Sequence, residues 1–311
     1  GFRNWRASND FSGGTPGAVN SIFNPNFGLD PVGLEGIVIE STNQIVVSFD
    51  QNMFPSTLAS GTWSLTPSLP IDSIIPDPLI PSRVVLELGG NLVSGTTYEL
   101  TVDNVFDCIG GPIGPNNSLQ FALATPLDVV INEVLFDPFG SGTEFVELYN
   151  RSAVDQNLNG WGMAVFNSAG EKVIAPIADT SLVLAPGSFL LLNEDNLNVQ
   201  AEYPQTVVST LQEVDLPSYP NSEGTVILVD NLGITIDSFA YTNDLHFALL
   251  QSAEGFSLER LDYERPTGDP SNWHSAAESA GMATPGFENS QFDAGETSAT
   301  LALEPEVFSP D

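Results

Sequence analysis

The chain has 311 residues, 41% of them hydrophobic, enough for two packed domains and incompatible with a disordered acidic tail. Forty acidic residues face seven bases, the single lysine Lys172 and six arginines, for a formal net charge of −33. Binding phosphates needs clustered Lys and Arg, so this balance argues against nucleic acid and acidic lipid as partners. Cations, a basic protein surface or a salty medium fit it, and solubility in high salt is the simplest use of such charge.

A lone cysteine, Cys108, cannot form an internal disulfide, and with no histidine near it reads as a small buried or turn-lining thiol. The longest apolar stretch, SLVLAPGSFLLL, is too short and too broken by Ala-Pro-Gly for a membrane span, so no direct membrane insertion is expected. The opening GFRNWRASND lacks the basic and apolar regions of a signal peptide. An export signal, if there is one, is expected outside these residues.

Taken in chain order, short β-rich runs are separated by Gly, Pro, Asn and Asp turns. They are GIVIE, QIVVSFD, RVVLEL and TYELTV, then DVVINEVLF, TEFVELYN, SFLLLN, TVILVD and ITIDSFAY. In TYELTV, Tyr98, Leu100 and Val102 share one face and Thr97, Glu99 and Thr101 the other. NSEGTVILVDNLGITIDSF predicts a hairpin turning at Asn231–Gly233. Many short strands with frequent turn signals predict an all-β architecture of tandem sandwiches.

An internal repeat organises the rest. NWRASNDFSGGTPGAVNS (Asn4–Ser21) returns as NWHSAAESAGMATPGFENS (Asn272–Ser290), matching Trp5 with Trp273 and Thr15-Pro16-Gly17 with Thr284-Pro285-Gly286, with one inserted residue. A repeat of such long period marks an array of domains. Residues 1–22 are therefore expected to be the C-terminal remnant of a preceding module. Residues 23–125 and 126–290 would be two complete modules, and 291–311 a linker with the start of a further, truncated one. The Pro-containing LATPLD joint favours a stiff connection.

DVVINEVLFDPFGSGTEFVELYNRS, followed by LNGWGM, LAPGSFLLL, EGTVILVD and GFSLER, resembles the lamin tail domain in its bacterial form. Ile131-Asn132-Glu133, Glu144–Asn150, Gly160-Trp161, Pro186-Gly187 and Ser257–Arg260 occupy the family's expected places, and the closing NW…TPG…NS is typical of it. Residues 23–125 look like the bacterial Ig-like module often placed between such domains. The final EVFSPD is similar to the opening of a further sandwich near the C-terminus of Bacteroidetes surface proteins. The resemblance implies an extracellular or outer-surface location and export by the type IX route.

No catalytic set is legible. His246 (TNDLHFALL) and His274 (SNWHSAA) lie in neither an HExxH spacing nor beside a GxSxG elbow, and His274 aligns with Arg6 in the repeat, as a surface polar residue would. Carboxylates are too plentiful for any one pair to single out a glycosidase. Glu133, Glu144, Glu147 and Arg260 lie within apolar strand runs, where a charge needs a partner. An exposed face, a buried bridge and a cation site all fit, and Glu133 or Glu147 is expected to form a structural ion pair with Arg260. No cofactor is expected. Calcium is the one ligand worth naming, with Asp103, Asn104 and Asp107 in one loop and Glu194 and Asp195 (beside Asn196) in another. Neither loop has EF-hand spacing, and Asp and Asn in turns usually serve turn geometry.

Three functions compete. One is a non-catalytic structural or adhesive segment of a secreted or cell-surface protein, whose partners are other modules of the same chain or surface and secretion proteins. Another is a carbohydrate- or protein-binding accessory module of a secreted enzyme, with Trp63, Phe136 and Phe139 as a sugar platform and Trp5, Trp161 and Trp273 in cores. A secreted hydrolase is the third.

Overall fold

The computed structural model describes residues 14–19, 31–167 and 169–293. Most of the expected remnant at 1–22, Trp5 included, and nearly all of the expected linker at 291–311 lie outside the described residues. The chain forms two compact units: one runs to Ala124 and takes in Val154–Asn157, and the other comprises Thr125–Ala153 and the chain from Leu158 onward.

The first unit contains β1 (Leu34–Ser41), β2 (Gln44–Phe49), β3 (Thr62–Thr66), β4 (Ile71–Pro76), β5 (Arg83–Leu88), β6 (Thr97–Asp103) and β7 (Ser118–Ala122), with a short helix α1 (Pro55–Ser60). Two antiparallel sheets, β1-β2-β5-β4 and β3-β6-β7, enclose an apolar core. The alternation in β6 sets its orientation: Tyr98, Leu100 and Val102 are buried while Thr97 is exposed. They join Ile45, Val47, Phe49, Val84, Leu86 and Phe121 in one cluster. Trp63 meets Phe49 edge to face at 6.2 Å and donates its indole N–H to the Leu58 carbonyl. Burial of such side chains, at about 25 cal/mol per Å² of apolar surface, is what holds this unit closed.

Beyond Ala124 come β8 (Val129–Leu135), β9 (Phe145–Asn150), β10 (Gln156–Asn157), β11 (Gly162–Phe166), β12 (Lys172–Pro176), β13 (Val183–Leu184), β14 (Phe189–Asn193), α2 (Asn196–Glu202) and β15 (Leu211–Glu213). The order continues with β16 (Glu223–Val229), β17 (Thr235–Thr242), β18 (Leu258–Arg260) and β19 (Trp273–Ser275). A six-stranded sheet runs β15-β14-β9-β8-β18-β19, and a four-stranded sheet runs β12-β11-β16-β17. The expected hairpin is β16–β17, where the Asp230 amide bonds the Ile234 carbonyl and the Gly233 amide bonds the Asp230 carbonyl around the turn. Strand β8 is buried along its whole length, because one face meets β17 and the other is covered by later chain.

Where the sheets meet, the aromatic side chains of β17 carry the packing. Phe239 stacks on Trp273 at 3.6 Å and Tyr241 on Phe136 at 4.2 Å. Trp161 and Trp273 are buried, as expected of core tryptophans.

Candidate functional site: a buried row of glutamates

Three strands of the six-stranded sheet bring three glutamates side by side. Antiparallel register places Glu133 of β8 directly opposite Glu147 of β9 on one side and Glu259 of β18 on the other. Directly opposed residues point to the same face, so the three carboxylates form one row, continued by Leu191 of β14 and His274 of β19. All three glutamates are completely buried. Like charges opposed across a sheet repel, and burying each costs several kcal/mol, so such a row persists only with dedicated donors.

Most of the donors come from the closing segment Thr284–Gln291, with Ser257 and Asn132 supplying the others. The Thr284 amide donates to Glu133 Oε1 at 2.8 Å, beside a bond from Ser257 Oγ, and the Gly286 amide donates to Glu147 Oε2. Thr284 Oγ1 lies 2.7 Å from Glu259 Oε1 and 3.3 Å from Glu133 Oε2. Ser290 Oγ and the Gln291 amide donate to Glu259 Oε2 at 2.7 and 3.0 Å. Asn132 Nδ2 donates to Glu147 Oε1 at 2.8 Å and exchanges amide bonds with Asn289. Each of the six carboxylate oxygens thus faces a donor group of the chain itself.

The proton inventory is short by one at the centre. The Thr284 hydroxyl has a single proton, so it cannot serve both Glu259 Oε1 and Glu133 Oε2. A proton held on Glu133 closes the chain: it donates to Thr284 Oγ1, which donates to Glu259. Burial, reinforced by the Glu259 charge, accordingly raises Glu133 to about 8. Burial and then the Glu133 charge push Glu147 well above the ordinary carboxylate range.

Only one backbone shape lets the closing segment sit there. Pro285-Gly286 forms a turn in which the Phe287 amide reaches the Thr284 carbonyl at 3.2 Å, with Gly286 at φ +91°. A Cβ on Gly286 would approach Thr210 Oγ1 to 2.3 Å and Val207 Cβ to 2.8 Å. The segment is pinned from behind by the Val207 amide on the Pro285 carbonyl and by Gln205 Nε2 on the Ala280 and Ala283 carbonyls.

The expected bridge from Glu133 or Glu147 to Arg260 is not formed. Neighbouring residues of a strand point to opposite faces, so Glu259 joins the glutamate row while Arg260 turns into the space between the sheets. There its Nη2 meets Asp237 Oδ2 of β17 at 3.1 Å. Its Nε and Nη1 donate to the Ile131 and Arg265 carbonyls at 2.8 and 3.0 Å, Nη2 also reaches Thr267, and the guanidinium lies 5.2 Å from the Trp273 ring centroid. Burial lowers Arg260 to about 10, with Asp237 opposing that shift. The reading of the sequence missed Asp237, Glu259, Thr284 and Asn289. An Asp within the apolar-rich run ITIDSFAY was the available signal for Asp237, and SLER was legible only as a family motif.

Glu144 lies off this row. It is half-buried, accepts from the Tyr219 amide at 3.1 Å, and is raised to about 7 by burial. His246 is buried, with Nδ1 2.9 Å from Ser275 Oγ, and burial lowers it to about 4.

The calcium candidates have local duties. Asp107 Oδ1 accepts from the Ile109 and Gly111 amides, Asp103 Oδ1 accepts from Asn117, and Asn104 takes a left-handed φ of 61°. Asp195 caps α2 through the Leu197 and Asn198 amides, and Glu194 is exposed beside it. Among the described residues no group of three or more His, Cys, Asp or Glu is placed to hold a metal ion. The sugar platform needs correction at one member, since Phe136 is fully buried between Tyr241 and His246. Phe139 is 37% exposed and Trp63 is half-buried. Cys108 is an exposed turn thiol, 3.2 Å from the Met53 carbonyl.

Fold and row together define the second unit as a two-sheet sandwich closed by a polar segment. Residues 123–243 match the family model of the lamin tail domain. That match covers β8 to β17 and stops short of β18, β19 and the closing segment. Among solved structures, the N-terminal part of the bacterial S-layer protein SbsC is 14% identical over 50% of this chain and 44% of its own length, with a TM-score of 0.28. A DUF4876 family protein from Bacteroides thetaiotaomicron is 13% identical over 56% of this chain and 75% of its own, with a TM-score of 0.27. The chain therefore spans less than half of that S-layer structure, and at such scores neither likeness carries weight. Among curated proteins none matches this chain.

Proposed function

We propose that this chain is a non-catalytic structural segment of a multidomain protein at the outer surface of a bacterium. The observation that carries this reading is the fate of the glutamates. A hydrolase keeps its carboxylates open to substrate, whereas here each oxygen of the row faces a donor of the same chain, under the 284–291 segment. Arg260, a residue type often used to grip anions, is likewise consumed between the sheets. Two depressions in the second unit, about 460 Å³ around Asp179, Thr180 and Gln212 and about 250 Å³ around His246 and Phe247, do not include the row.

The charge of −33 supports a solvent-facing spacer that repels its own kind. Placement in a Bacteroidetes protein exported by the type IX route is implied by the likeness of the final EVFSPD, and an adhesive use by the tandem modules without a legible catalytic set; both belong to the same proposal. The test has two arms. Protease shaving of intact source cells should release peptides of this chain. Purified protein should also show no turnover of glycoside, ester or peptide substrates that Glu133→Gln abolishes. Activity lost in that variant, or a chain protected inside cells, would overturn the reading, and saturable binding on a glycan array would favour the accessory-module alternative.

A further inference from the structure

Four of the six tyrosines, Tyr98, Tyr203, Tyr219 and Tyr241, are buried. The two that solvent reaches are Tyr149 of β9 and Tyr263, which follows β18, and both belong to the second unit. These two stack on each other. Their ring centroids are 3.9 Å apart with 20° between the planes, so ring carbons of one phenol touch those of the other. Phe189 of β14 packs against Tyr149 at 5.0 Å, and Phe292 stacks on Tyr263 at 4.5 Å.

The backbone holds the pair in place. Tyr149 is fixed by its register opposite Val130 of β8 and Phe189 of β14. Arg151, at the end of the same strand, donates Nη1 to the Tyr263 carbonyl at 3.0 Å and meets Glu264 at 3.1 Å. The stack therefore bridges β9 to the chain beyond β18, across the β8 strand that separates them in the sheet. One polar atom is left over: the Tyr263 hydroxyl is buried and has no hydrogen-bond partner among the described residues. Buried phenols ordinarily find one.

We propose that Tyr149 and Tyr263 are the site of an intramolecular dityrosine cross-link, made by hydrogen peroxide acting through a haem peroxidase. Each phenol loses one electron and its hydroxyl proton. The two phenoxyl rings then join through the carbons ortho to their oxygens, and the hydrogens on those carbons pass to the oxygens, restoring both hydroxyls and both aromatic rings. The two electrons and two protons removed reduce one hydrogen peroxide to two waters. In the product the two hydroxyls lie side by side across the new bond and one donates to the other, which gives Tyr263 the partner it lacks. The link ties β9 covalently to the chain beyond β18. Repulsion between chains of net charge −33 favours coupling within a chain over coupling between chains. This rests on the outer-surface reading only for where the oxidant is met; the experiment supplies the oxidant, so the two readings fail separately.

The full chain, dilute, is treated with a haem peroxidase and hydrogen peroxide, and dityrosine is followed by its fluorescence, by intact mass and by peptide mapping. The expected product is a monomer lighter by two hydrogen atoms, with one linked pair of peptides carrying Tyr149 and Tyr263. Tyr149→Phe and Tyr263→Phe each keep an aromatic ring in the stack and should fold as the parent does. Each should nevertheless lose the fluorescence and the mass change of the monomer entirely. Dityrosine that persists in either variant, that maps to another pair, or that is confined to dimers would overturn the proposal. A parent chain that forms none would overturn it as well.

Discussion

The two units solve the same problem, closing a pair of sheets, by different chemistry. The first does it with an almost wholly apolar cluster, and among its described residues Asp107 is the one buried charged residue, set in a turn. The second buries Glu133, Glu147, Glu259, Asp237 and Arg260 completely or nearly so and closes over them with a hydrogen-bonded segment. Apolar burial is indifferent to pH and tolerant of approximate fit. A buried polar network is stable only when every member is satisfied, so it specifies one closing segment and couples stability to protonation.

The largest expected effect is on the second unit. Arg260→Ala leaves Asp237 buried without its cation, and a loss of about 3–5 kcal/mol is expected in denaturant melts followed by amide exchange. Asp237→Asn should couple to it in a double-mutant cycle, whereas Glu147→Gln should add to it independently. Strict additivity with Asp237 would return the arginine to some other partner. In the first unit, Leu100→Ala should cost about 2–5 kcal/mol through a cavity, with the same cost at pH 5 and pH 8. Gly286→Ala should cost the second unit about 2–4 kcal/mol, from a left-handed φ and from displacement of Val207 and Thr210.

The pH arm sharpens the contrast further. Glu133 sits at about 8 when folded and near the ordinary glutamate value when unfolded. The folded unit therefore holds more protons than the unfolded chain between about 4.5 and 8. Its contribution is present in full below about 4.5 and is lost as pH rises through about 8. His246, lowered to about 4, acts in the opposite sense: its contribution is present above the ordinary histidine value and is lost as pH falls toward about 4. The two slopes oppose each other up to about pH 6.5, so the second unit should lose stability most steeply between about 6.5 and 8. Glu133→Gln should flatten that decline, as read by melts of wild type and variant across the range. An unchanged slope would mean that Glu133 is ionised throughout and that the decline belongs to Glu147 or Glu144.

The smallest effect concerns surface charge. Added NaCl should raise stability by about 1 kcal/mol or less as the Debye length shrinks. Calcium at matched ionic strength should add nothing further, because Asp107 and Asp195 already serve turn and cap geometry. A calcium-specific gain in melting temperature, reversed by chelator and removed in Asp103→Asn or Asp195→Asn, would restore those loops as a binding site.

What the sequence determined by itself was local. Alternation in TYELTV placed Tyr98, Leu100 and Val102 in a core, the Asn231–Gly233 turn set a hairpin, and the apolar setting of Glu133, Glu147 and Arg260 marked them as charges in need of partners. Strands of three residues, β18 and β19, are too short to carry a period, and their residues were legible only as parts of family motifs. Which charge meets which was decided by the tertiary structure alone. Register, including the irregularity between Ile131 and Glu133 in β8, aligned three glutamates that lie far apart in the chain and turned Arg260 to the opposite face. Pairing across a sheet depends on a one-residue choice of register, and an error of one residue exchanges the faces. No local pattern encodes that choice, so the row and its closing segment exist only once the sheet has formed.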